Sequence, residues 1–152
     1  MTRLIIASLL ALSTLPALAQ VTVKDPWVRG TVPQQKATGA FMHLQAEKDM
    51  RLVSAKSPVA GLVEIHEMTM EKDVMKMRAL PNGLELPAGK SIELKPGSYH
   101  VMLMDLKQQV KDGDTVPITL VIEGKDKKQS SIELQAPVKA LGATANKMEH
   151  KH

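Results

Sequence analysis

Two histidine–methionine pairs of identical spacing stand out in a chain without cysteine. His66 and Met68 lie in "VEIHEMTMEKDVMKMRAL", residues 63–80, and His100 and Met102 lie in "YHVMLMDL", residues 99–106. Between them comes a Met-x-Met pair, Met75 and Met77. Alternate side chains of an extended strand share a face. His66, Met68 and Met70 therefore stand together, opposite Val63, Ile65 and Glu67. His100, Met102 and Met104 stand together, opposite Val101 and Leu103, and Met75 joins Met77. A single His-x-Met is ordinary, because a lone half-buried histidine is usually a hydrogen-bonded structural residue. Its repetition on a second strand points to a metal site.

The donor types narrow the metal. Thioether sulfur is a soft, neutral ligand that suits Cu(I), whereas imidazole accepts several transition metals, so mixed His/Met ligation points to copper, the reduced ion first. Zinc calls for cysteine or carboxylate partners. A blue-copper electron carrier needs a thiolate, and none exists here. Thioethers need no deprotonation, so they hold metal where acid protonates imidazole. No acid/base or nucleophile constellation stands out, so the reading is not that of an enzyme.

These donors need strands to carry them. Apolar residues recur at period two in short runs broken by Gly, Pro, Asn and Asp. Strands are expected near 21–23, 37–46, 51–56, 61–70, 74–80, 91–94, 99–106, 115–122 and 130–135. Turns are expected at Pro81-Asn82-Gly83, Pro87-Ala88-Gly89, Pro96-Gly97, 111–114 and 124–128. No helical stretch of useful length emerges, and the spacing predicts an all-β sandwich or small Greek-key barrel. The chain has 152 residues, enough for one domain. Ten methionines accompany one Phe, one Tyr and one Trp, and part of that excess serves as flexible core filler, Met42 and Met50 above all.

Residues 1–19 combine Arg3, an apolar run and the small-residue ending Ala17-Leu18-Ala19, and read as an export signal cleaved before Gln20. The run is too short to span a bilayer, so the expectation is a soluble protein of the periplasm. Twenty Lys and Arg face sixteen Asp and Glu, a balance too mild to argue for a nucleic-acid or membrane partner. Residues 20–138 form the expected domain. Residues 139–152 lose alternation and read as a mobile tail.

From Pro26 to Pro137 the chain resembles the periplasmic copper chaperones of the PCu(A)C type. The likeness runs through "DPWVRGTVPQQKATGAFMHL", "EIHEMTMEKDVMKMRAL", "LPAGKSIELKPGSYHVMLMDLK" and "KDGDTVPITL". The family motif is His, ten residues, Met, some twenty residues, then His-x-Met. Here ten residues separate His66 from Met77 and twenty-two separate Met77 from His100. The second spacer is one residue longer than the family's usual one, a difference that the Pro81-Asn82-Gly83 turn can absorb. The resemblance implies a cupredoxin-like fold and the Cu(I) ligands His66, Met77, His100 and Met102. It selects Met77 over Met68, a choice that alternation leaves open.

Met68, Met70, Met75 and Met104 are then an apolar collar around the metal. Trp27 reads as packing or as a shield, Tyr99 points away, and His43 reads as structural. The tail donors Met148, His150 and His152 read equally as a solvated end or as a Cu(II)-binding cap, since Cu(II) prefers nitrogen and oxygen donors. The resemblance further implies delivery of copper to the binuclear centre of cytochrome c oxidase, on subunit II, together with Sco-type thioredoxin-like proteins. The alternative is copper sequestration for tolerance, with no dedicated client.

Overall fold

A computed structural model describes residues 20–140. The expected signal, residues 1–19, and the tail donors Met148, His150 and His152 lie outside the described residues. Ten strands follow one another: β1 (Val21–Arg29), β2 (Ala37–Ala46), β3 (Met50–Lys56), β4 (Ala60–Glu71), β5 (Val74–Ala79), β6 (Leu84–Leu86), β7 (Ser91–Leu94), β8 (His100–Leu106), β9 (Thr115–Gly124) and β10 (Gln129–Lys139). No helix occurs among the described residues.

The strands run in the order β5-β4-β8-β2-β1-β10-β9-β3-β6, with β7 also pairing with β2. β1 meets β10 in parallel, Val28 opposite Val138, and this seam joins two layers. One layer holds β5, β4, β8, β2, β7 and β1, and the other β10, β9, β3 and β6. The path does not close, so β5 and β6 end it, and the architecture is a cupredoxin-like sandwich.

Alternation decides the core. Val28, Ala40, Met42, Leu44, Ile65, Val101 and Leu103 from the first layer meet Leu52, Val116, Ile118, Leu120, Ile122 and Ala136 from the second. Met42 is fully buried among them and Met50 packs against their edge, the filler role expected of both. Each fully buried Leu or Ile removes enough apolar surface from water to contribute about 1.5–3 kcal/mol.

The main departures from the periodicity reading are in β1, β6 and β10. β1 does not stop at Val23 but continues to Arg29 through a register shift between Lys24 and Trp27, where Asp25 takes φ 51°. Pro26 sits within that bulge, where a missing N–H costs no ladder bond. β6 is three residues long and too brief for alternation to register. β10 passes Pro137 to reach Lys139 because β1 supplies it with a second, parallel neighbour.

Candidate metal centre

The face of β4, β5 and β8 turned away from the core carries the candidate donors. His66 and His100 occupy directly opposed positions on β4 and β8, and their rings lie 5.6 Å apart at 63°. Met102, two residues along β8, stands opposite Glu64 of β4 and Gly39 of β2. Met77 of β5 stands opposite Met68 of β4, one diagonal step from His66. Both histidines are buried, Met102 is half-buried and Met77 is 48% exposed. The arrangement has a closed imidazole end and an open thioether end.

The hydrogen bonds fix which ring nitrogens remain free. Glu64 Oε2 lies 2.7 Å from His66 Nε2. A carboxylate accepts, so Nε2 carries the proton, and His66 Nδ1 is buried with no hydrogen-bond partner among the described residues. A buried, unsatisfied imidazole nitrogen is uncommon in a folded chain and calls for a ligand. His100 Nδ1 donates to the Ser98 carbonyl at 3.2 Å, which leaves Nε2 as its lone-pair atom. A carboxylate or carbonyl on the far nitrogen is the usual support of a metal-binding imidazole. Burial pushes the His100 pKa below its usual value; the Ser98 bond works against this, and electrostatic coupling to His66 and to the Arg29 guanidinium adds to the lowering. A neutral ring is the form that binds metal.

Packing holds His100 from the β2 side. Trp27 and Phe41 are both buried, yet Phe41 points to the face opposite Ala40 and Met42. Trp27 lies 4.6 Å from Phe41, and Phe41 6.3 Å from His100. Arg29 covers the Phe41 ring at 5.4 Å and Lys139 the Trp27 ring at 5.1 Å. Trp27 thus packs against Phe41, which in turn lies beside His100. Gly39 is what lets the ring lie flat, since a Cβ there would be 2.8 Å from Phe41 Cζ.

The remaining sequence candidates fall into place around this centre. Met68 and Met104 are half-buried on the same face, with Met104 opposite Ala37 and Leu62. Met70 and Met75 face each other at the exposed end of the β4–β5 hairpin. His43 lies apart, 3.7 Å from Glu93 at the surface, and Tyr99 packs against the core. Among the described residues, no three His, Cys, Asp or Glu side chains gather to hold a metal, so a centre here must draw on thioethers. Glu64 and Phe41 were missed by the sequence reading. Glu64 was detectable, since it shares the alternation of His66, and Phe41 was detectable as the sole phenylalanine, on the strand that bears Gly39.

The LpqE-like family model matches residues 21–138, and the family's description carries the word lipoprotein. The protein RP573 of Rickettsia prowazekii is 30% identical over 125 residues, covering 79% of this chain and 69% of its own. The solution structure of Cu(I)-DR1885 from Deinococcus radiodurans is 32% identical, with TM-score 0.58, over 84% of this chain and 81% of that one. The apo form of DR1885 is 29% identical, with TM-score 0.57, over 92% and 97%. The copper-bound PCuAC domain of PmoF2 shares the fold at 22% identity and TM-score 0.61, over 82% and 96%. With two layers, a parallel seam and a match across nearly all the described residues, the chain belongs to the LpqE-like family and has the fold of the PCuAC domains.

Proposed function

We propose that this protein is an exported copper carrier, working in the periplasm, that binds Cu(I) through His66, Met77, His100 and Met102. The observation that carries the reading is the opposed His66–His100 pair, with His66 Nδ1 buried and without a partner among the described residues, on a face where three strands present thioethers. Copper-bound relatives of the same fold support the choice of metal, and the softness of the sulfur donors supports its reduced state. The lipoprotein family description supports export.

Each residue has a part in capture and release. Glu64 orients His66, the Ser98 carbonyl orients His100, and the Trp27–Phe41 stack keeps the His100 ring against its strand. Met102 completes the inner side, while exposed Met77 is the donor nearest solvent and the first to let go. Transfer exchanges one ligand at a time, a client donor replacing Met77 before the imidazoles let go. The client is the binuclear copper centre of cytochrome c oxidase subunit II, with Sco-type proteins as co-workers. The tail donors Met148, His150 and His152 add a Cu(II)-binding cap.

Competition titration of Cu(I) against a chromophoric chelator tests the site: His100→Ala and Met77→Ala must weaken binding, and parent-like binding by both would refute the ligand set. A deletion strain separates carrier from store. Lost oxidase activity under low copper means delivery, whereas copper sensitivity with normal oxidase means sequestration.

A further inference from the structure

The β4–β5 hairpin holds four methionines in register, Met68 opposite Met77 and Met70 opposite Met75. The main-chain bond from Leu80 N to Ile65 O, 2.8 Å, fixes the pattern of the ladder. Bonded and non-bonded pairs alternate along an antiparallel ribbon. Ile65, Glu67, Thr69 and Glu71 therefore take the bonded positions, and His66, Met68 and Met70 the non-bonded ones, where opposed side chains stand closest. Lys72 and Asp73, both at positive φ (48° and 64°), close the hairpin in a two-residue turn that leaves no slack in this register.

Each pair thus brings two thioethers together across about 4.5–5.5 Å at Cβ, a span that a single soft ion bridges. Met70 is 63% exposed, Met75 44% and Met77 48%, so these side chains add little to the core. Exposed apolar side chains grouped on an edge hairpin mark a site of interaction. Nearby charge does not compete for the role: Lys76 pairs with Glu71 at 2.7 Å, and Arg78 with Glu67, both pairs on the opposite face of the hairpin.

We propose that the hairpin is a second soft-metal site, with Met70 and Met75 as its outer donors, from which Cu(I) steps to Met68 and Met77 and then to the histidine pair. The proposal rests on reading this face as that of a Cu(I) carrier. Successive pairs are two residues apart, about 7 Å along the strand. Each step is ligand exchange: a bond to an outer sulfur breaks as one to an inner sulfur forms, the ion stays Cu(I), and no proton moves. The outer site is weaker than the inner one because it lacks imidazole.

Silver(I), a soft ion that does not change oxidation state here, is the probe. Titration of the full chain, followed by the methyl signals of methionine, should show a tight first equivalent and a weaker second one that shifts Met70 and Met75. In the Met70→Leu/Met75→Leu variant the first equivalent persists, which also reports a folded chain, while the second weakens by about tenfold or more. The same variant should take Cu(I) from a chelator more slowly. A parent chain with one equivalent only, or a variant whose second equivalent and capture rate are unchanged, overturns the proposal. Loss of the tight first equivalent in the parent would instead overturn the carrier reading while leaving a methionine site at the hairpin.

Discussion

Glu64 and His66, two residues apart on one strand, are joined at 2.7 Å, and the consequence is that His66 must offer its other nitrogen. Replacing Glu64 by Ala frees the ring to rotate and to take either tautomer. Cu(I) affinity should fall about 10–100-fold, the usual cost of removing such a support, with Glu64→Gln recovering part of the loss because its amide oxygen still accepts from Nε2. Nitrogen chemical shifts of the His66 ring in the metal-free chain check the cause. An unchanged tautomer in Glu64→Ala would show that the carboxylate has no positioning role.

Met77 and His100 should separate binding from folding. Met77 is half-exposed on an edge strand, so Met77→Ala should leave stability within about 0.5 kcal/mol while weakening Cu(I) binding tenfold or more, to about the extent expected for one lost ligand. His100 is buried beside Phe41, so His100→Ala should lose both copper affinity and stability. Chelator competition and thermal unfolding of the same samples give the two readings.

Acid should destabilise the metal-free protein through His100. Its folded pKa is lowered from 6.5, first by burial, so the unfolded chain binds the proton more readily. The stability that this imidazole contributes is complete above about pH 6.5 and is lost as the pH falls below that value, by no more than about 1.4 kcal/mol per pH unit. Denaturant melts between pH 7.5 and 5.5 should show this slope, and His100→Gln should flatten it.

Gly39 and Phe41 form a size-matched pair. Gly39→Ala places a methyl group 2.8 Å from Phe41 Cζ and forces the ring to shift. About 1–3 kcal/mol of stability should be lost to overpacking, with weaker copper binding as a second effect. Phe41→Ala instead removes a buried ring and should cost about 3–5 kcal/mol. Combining Gly39→Ala with Phe41→Leu should restore part of the loss seen in Gly39→Ala, as measured by thermal melts.

Much of this architecture is legible in the residues themselves. Period-two patterning marks the long strands, and His66, His100 and their methionines fall on one face because alternation leaves them no other. Local pattern fails where the cause is distant. β1 crosses Pro26 because β2 continues to pair beyond the bulge, and β10 crosses Pro137 because β1 lies alongside it. The adjacency of β4 and β8 is likewise a matter of topology, since 33 residues separate the two histidines. Glu64 is readable as a same-face neighbour of His66, but the hydrogen bond that joins them depends on side-chain geometry that the fold sets.

β5 hydrogen-bonds to β4 and to no other strand of the sheet, yet it carries Met77. One proposed donor therefore rests on the margin of the sheet while the two histidines are anchored beside its core. On the proposed reading, fraying of that strand exposes a bound ion to exchange without disturbing either layer, so the molecule can be firm throughout its core and loose at one border.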